Sequence, residues 1–395
     1  MLVPHKIFVE RRRVIEFVKR VCEECGPRLA GSEGERKAGE IIYRELTTFC
    51  DEVEKEYFES RPRGFLDYIW FTFSFYFAGA ILYFLGYPLI TALLVSLALL
   101  VFFLQQCLHY EVVDVFFPRV KEFHIIGKIK PKKEAKNLVI ISAHYDSAYE
   151  FPLLGRLRMK SIYVIVPTIA IALTTMILSL IEGLLNIRDV SLVQKPLLII
   201  GFVIILTIAL TLRSNRGVLG ANDDLAGVAA IIEAGRLISQ DRPENTEVWV
   251  VAFAGEEHMR GSKRFVQGHC DELKKRNAIM FNVECPSADY FLICTEEKMF
   301  FAKHSSLAIE YAKKAARTID FEVRVAPLPF AGSDAANFSR RGLHAVSIFG
   351  LSAKDNAPYH WHTMNDIPEN LKPESIEKAI LFAKNFVYVV DLSQR

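Results

Sequence analysis

The chain has no stretch in which clustered basic residues alternate with aromatics. Its 48 Lys and Arg against 46 Asp and Glu leave a formal charge of only +2, so a nucleic-acid partner is not expected. The seven cysteines are scattered and odd in number, without the spacing of a disulfide framework, which argues against an oxidising compartment. Cys22 and Cys25 form a C-x-x-C inside a helical pattern with no second pair, and a structural role is expected for them. The N-terminal MLVPHKIFVERRR has no apolar core of leader length, so no cleavage is expected there. Charge is missing altogether from Tyr68 to Leu104, a run of 37 positions broken near its middle by Gly86-Tyr87-Pro88.

That run reads as two spans of about 17–18 residues joined by a tight turn, near the lower limit for crossing a bilayer. A second pair follows, Ser161 to Ile181 and Pro196 to Leu212, separated by a linker with Arg188, Asp189 and Lys195. Four such runs are hard to bury as core helices in a chain of 395 residues. With 51% hydrophobic residues the chain is too apolar for an ordinary soluble protein, yet 24% charged residues is too many for a bare membrane bundle. The expected organisation is a discontinuous soluble domain made of residues 1–63, 108–160 and 213–395, with transmembrane hairpins at 64–107 and 161–212. Each hairpin returns the chain to the side it left. That side carries Arg61, Arg63, Arg119, Lys121, Arg156, Arg158, Lys160, Arg213 and Arg216, whereas the tips carry only Arg188 and Lys195. By the positive-inside rule the protein is expected to be multi-pass, with its soluble domain in the cytoplasm.

Outside the spans, strands and helices alternate. A helix is expected from Glu35 to Thr48, strands at Glu122–Ile129 and Leu138–Ser142, then helix Leu225–Ser239, strand Glu247–Phe253, helix Ser262–Lys275 and strand Ala278–Val283. The tail continues with helix Ser306–Thr318, strands Glu322–Ala326 and His344–Phe349, and a closing helix Pro373–Val390. This order predicts an α/β fold, a mixed and mostly parallel central sheet covered by helices on both faces, with the two helical hairpins (four spans) inserted.

The candidate site residues fall at strand ends. His144 and Asp146 close Leu138–Ser142 and share a face; alone, the pair is as readily a satisfied polar contact as a metal ligand with its orienting partner. Asn222 and Asp223 open a helix, where capping is the equally ready explanation. Glu256 and Glu257 end a buried strand, where adjacent carboxylates are costly unless paired or metal-bound. Glu284 could be an ordinary exposed carboxylate, and His360 and His362 ordinary loop histidines. Taken together, oxygen and imidazole donors without thiolates at the carboxyl ends of strands suit catalytic zinc or a similar borderline metal.

The ordered set Gly26-Pro27-Arg28-Leu29-Ala30-Gly31-Ser32, His144-Tyr145-Asp146, Gly220-Ala221-Asn222-Asp223, Gly255-Glu256-Glu257, Asn282-Val283-Glu284, Gly332-Ser333-Asp334 and His362-Thr363-Met364-Asn365-Asp366 resembles the M28 metallopeptidases. The resemblance covers the whole non-membrane chain. It implies two zinc ions, with cobalt or manganese as other candidates, bridged by Asp223. His144 and Glu284 would hold one ion, and Glu257 and His362 the other. Asp146 would orient His144, and Glu256 would be the general base for the attacking water. The implied activity is that of an aminopeptidase acting on peptides near the membrane, with peptide substrates and the lipid bilayer as partners. The chain departs from the family in three places. Position 284 is Glu where aminopeptidases usually have Asp, Ala335 follows Ser333-Asp334 where the family has His, and a hairpin separates His144 from Asp223. The other readings are a glutaminyl-cyclase-like single-zinc transferase and a catalytically silent membrane receptor or scaffold.

Overall fold

The computed structural model describes residues 11–393; the first ten, which include most of the stretch read above for a leader, lie outside them. The chain divides into two compact units. One takes the residues up to Ser60, Val120–Tyr149 and those from Arg216 onward; the other takes Arg61–Arg119 and Glu150–Asn215.

The first unit is built on a nine-stranded mixed sheet. Its strands are β1 (Glu52–Ser60), β2 (Val120–Ile129), β3 (Asn137–His144), β4 (Thr246–Phe253), β5 (Ile279–Glu284), β6 (Tyr290–Glu297), β7 (Ala302–Lys303), β8 (Val323–Leu328) and β9 (His344–Leu351). They run in the order β1-β2-β4-β3-β5-β9-β6-β7, with β8 on β6. The central four, β4-β3-β5-β9, are parallel, whereas β1 on β2, β2 on β4 and β6 on β9 are antiparallel.

Every residue of β3 is buried, and its run Leu138-Val139-Ile140-Ile141 feeds both faces of the sheet, as parallel strands covered on two sides must. Val139 and Ile141 join a core with the helices Arg11–Cys25, Glu33–Thr47, Ala226–Gln240, Ser306–Ala316 and Pro373–Ser393. Leu138 and Ile140 face Phe265, Leu273 and Phe338 from the helices Gly261–Lys275 and Asp334–Arg340. After β3 the chain reaches β4 on one side and then returns to β5 on the other. The connections therefore diverge at the carboxyl end of β3, leaving a crevice where α/β proteins place their sites.

In the second unit, four helical stretches are long and apolar enough to cross a membrane by length and composition: Arg63–Phe84, Pro88–Cys107, Gly155–Leu185 and Ser191–Thr211. The last begins before Pro196, so Lys195, expected in the linker, lies inside the helix. Pro196 falls inside this helix, five residues from its start, where it removes the hydrogen bond to the Leu192 carbonyl. Tyr76, Val95, Ala172, Leu198 and Ile205 pack together between the helices. The buried Gln194 side-chain amide donates to Thr175 O (2.9 Å) and Ser179 Oγ (2.8 Å). Polar side chains thus turn inward while Leu93, Ile177, Ile199 and Val203 are exposed.

Candidate metal centre

His144 is the last residue of β3, and its imidazole is wholly buried. Asp146 lies two residues on, with Oδ1 3.3 Å from His144 Nδ1. That contact leaves Nε2 directed at Asp223 Oδ1 (3.2 Å) and Glu284 Oε2 (3.6 Å). The other Asp223 oxygen, Oδ2, is 3.2 Å from His362 Nε2, which also faces Glu257 Oε2 at 3.1 Å. Asp223 therefore presents one oxygen to each of two three-residue sets, His144/Asp223/Glu284 and Asp223/Glu257/His362, each tight enough to hold a metal ion. A third tight set, His144/Glu256/Glu257, overlaps them; its Glu256 is the carboxylate left over, 3.7 Å from His144 Nε2.

For some of these residues the structure departs from the commoner explanations. Asn222 and Asp223 cap nothing: the helix starts at Ala226 and no side chain caps it. Glu284 and His362 are buried, not exposed. Asp334 begins its helix, buried and outside both donor sets. His360 is half-buried at positive φ two residues before His362. Cys22 and Cys25 end a helix as free thiols.

Other contacts fix the loops; Arg28, Asn222, Asn282 and Asp366 were given no such role from the sequence, and Asp146 was given only the orienting of His144. Arg28 is fully buried and donates to the carbonyls of Tyr145 (2.6 Å), Leu219 (2.5 Å) and Gly220 (3.1 Å). It thereby ties the segment after β3 to the one that carries Asp223. Asp366 accepts from the amides of Asn222 (2.7 Å) and Asp223 (3.1 Å), and Asp146 accepts from those of Glu256 (3.2 Å) and Glu257 (3.0 Å). Asn282 donates to Glu284 Oε1 at 2.6 Å along the same strand and accepts from Ser142 Oγ on neighbouring β3, which aims the Glu284 carboxylate. Asn222 accepts from Ser287 N (2.8 Å) and donates to Tyr359 O (3.4 Å), joining the loop after β5 to the one that brings His362. These partners lie in or beside the sequence motifs, but most of them pair across more than a hundred residues, which leaves no local signal.

Electrostatically the cluster calls for cations. Burial raises the carboxyls of Glu256 and Glu284 well above the usual range; His144 opposes this, while Glu284 and Asp334 add to it at Glu256, and Asp224 and Asp334 at Glu284. Burial pushes His362 down, but Glu257 and Asp223 outweigh it and lift the imidazole to about 10. His144 likewise rises, against burial, under Glu256, Asp146, Asp223 and Glu284. Cys285 Sγ is 3.5 Å from Asp223 Oδ1. Its thiol is pushed well up by burial, then by Asp223 and Asp224, and so acts as a hydrogen-bond donor. Buried carboxylates this crowded stay ionised only beside positive charge, and otherwise take up protons. Imidazole and oxygen donors in three-residue sets fit zinc, cobalt or manganese.

A mixed α/β sheet with donor sets at its strand ends defines a candidate metal site on an α/β fold. The model of Peptidase family M28 matches residues 202–387. No curated protein sequence matches the chain. Among solved structures, it is similar to BSAP, a zinc aminopeptidase from Bacillus subtilis (15% identity, 96% of this chain and 94% of that one, TM-score 0.57). The aminopeptidase from Aneurinibacillus sp. strain AM-1 is comparable (13%, 96% and 93%, TM-score 0.57). So is the Bacteroides thetaiotaomicron glutaminyl cyclase bound to N-acetylhistamine (14%, 96% and 97%, TM-score 0.55).

Proposed function

We propose that the protein is a two-zinc aminopeptidase held in a bilayer by its four apolar helices. The observation that carries this reading is Asp223, whose two oxygens face two separate histidines, 3.2 Å from each. His144 and Glu284 would hold one ion, Glu257 and His362 the other, with Asp223 shared. Zinc bound there would polarise the scissile carbonyl, lower the pKa of water and anchor a free amino terminus.

The chain's own residues supply the rest. Asp146 holds the His144 ring so that Nε2 faces inward, and its grip on the Glu256 and Glu257 amides sets base and ligand side by side. Glu256, raised by burial and by neighbouring carboxylates, accepts the proton of the attacking water at its carboxylate and returns it to the departing amine. The peptide C–N bond breaks as water adds its oxygen to the carbonyl carbon, and no covalent enzyme adduct is formed.

A second reading is favoured by the similarity to the glutaminyl cyclase: a single-zinc transferase that closes N-terminal glutamine on itself. Retention of His144 and Glu284, a second donor pair, weighs against it. The test compares wild type with Glu256→Gln in detergent, measuring metal content together with turnover of free, blocked and N-glutaminyl peptides. About two ions per chain, cleavage of free N-termini only, and a loss of about 10²–10⁴-fold in the variant with metal retained are expected. One ion with cyclisation and no cleavage would favour the cyclase, and no turnover at all would sink both enzyme readings.

A further inference from the structure

We infer that Leu108–Phe117, the segment that leaves the helix Pro88–Phe102 and its continuation Phe103–Cys107, is an interfacial anchor lying at the headgroup–acyl boundary of a phospholipid bilayer. The inference rests on the reading that the four apolar helices are embedded. The segment presents Tyr110, Val115 and Phe116 at 62%, 65% and 68% exposure, a cluster that costs solubility unless something apolar covers it.

The segment is held in a defined shape. Arg61 donates to the carbonyls of Asp114 (3.1 Å), Val115 (2.5 Å) and Phe117 (2.8 Å). The buried amide of Gln105 donates to Gly64 O (2.9 Å) and the Asp114 carboxylate (2.5 Å), and its oxygen accepts from Val113 N (3.3 Å). A side chain at position 64 would strike that carboxylate. With the Asp114 carboxylate and the carbonyls of Asp114, Val115 and Phe117 held from beneath, the segment turns Tyr110, Val115 and Phe116 outward.

Its level is set by ring contacts. Phe116 and Phe117 lie 5.2 Å and 6.2 Å from Phe71, in the first turn of the helix Ile69–Phe84. One turn earlier, Asp67 pairs with Arg63 (2.8 Å) and with Arg213 (2.7 Å), which follows the helix Ser191–Thr211. That charged cluster marks the polar edge of the helices, and Phe116 and Phe117 meet the helix one turn inside it, at the level where amphipathic aromatics such as Tyr favour a membrane interface. Phospholipid is therefore the occupant the geometry selects: the cluster continues the exposed apolar surface of the helices.

The test adds one tryptophan at a time to the full chain in phospholipid vesicles carrying bromine at shallow or deep acyl positions, with the parent's emission subtracted. Val115→Trp and Phe116→Trp are the probes, Leu93→Trp marks the helix surface, and Tyr57→Trp on β1 marks water. The expected result is blue-shifted emission from both probes, quenched about twofold or more by lipid, shallow bromine exceeding deep, as an interfacial side chain requires. Quenching of Leu93→Trp while both probes respond only to aqueous iodide, like Tyr57→Trp, overturns the anchor and leaves the membrane reading intact. A probe shift that depends on protein concentration but not on bromine also overturns it, in favour of a second copy. If Leu93→Trp is not quenched either, the membrane reading fails and takes the anchor with it.

Discussion

Two backbone N–H groups, those of Asn222 and Asp223, end on the single carboxylate of Asp366. Burial, with help from Asp223, raises that carboxyl to about 7. Asp366→Ala would leave both buried donors unpaired, at a cost of about 1–3 kcal/mol per group, and would loosen the loop that presents Asp223. We expect lower zinc content at a given free zinc, read by metal analysis after dialysis. Away from the site, His269 Nε2 is 2.6 Å from Glu56 Oε2, and the Glu56 hydrogen bond raises its pKa despite partial burial. A raised folded-state pKa stabilises fully below the unfolded value of about 6.5, and the gain is lost as pH climbs through the folded value. His269→Gln should therefore lower stability at pH 5.5 but hardly at pH 9. Because the pair is half exposed, the difference is a few tenths of a kcal/mol to about 1 kcal/mol, read as denaturation midpoints at the two pH values.

At the scale of elements, apolar runs bounded by turns were legible. Strands β3, β4, β5 and β9 and the helices Ala226–Gln240 and Gly261–Lys275 lie within a few residues of where hydrophobic pattern places them. β1 was not foreseen, because Glu52-Val53-Glu54-Lys55-Glu56 alternates charge with charge at a sheet edge, where pairing with β2 and not burial makes the strand. β6 carries an apolar Phe291-Leu292-Ile293-Cys294 like a core strand, and the helix Asp334–Arg340 has only seven residues, too few for a period to show. Inside the apolar bundle, small residues set how closely helices approach: a Cβ on Gly201 would collide with the Tyr76 hydroxyl. Gly201→Val should force the helices Ser191–Thr211 and Ile69–Phe84 apart, at about 1–3 kcal/mol. The expected readout is a lower melting temperature in detergent with zinc affinity unchanged.

Across the molecule, the candidate site was legible as an ordered string of motifs, because metal donors must be particular residue types at strand ends. Its supports were not, since Arg28 finds Tyr145, Leu219 and Gly220 only through the fold. Removing metal tests the crowding directly. Chelation should abolish turnover and lower the melting temperature by several degrees, with zinc restoring both. A ligand at about 100 times its Kd adds about 2.7 kcal/mol of stability. Should the melting point stay put on chelation, the carboxylates are neutralised by protons instead, and the two-ion reading loses its main physical support.

The position of β3 also bears on how the chain is made. Both of its neighbours, β4 and β5, are translated later, after the entire second helical hairpin and the helix Ala226–Gln240. Until Phe253 has left the ribosome an apolar strand ending in His144 waits with both edges bare, and until Glu284 has followed with one, a state prone to mispairing and aggregation. The centre of the sheet is thereby completed only after both hairpins exist, so the candidate metal site can form only in a chain whose apolar helices have already been synthesised.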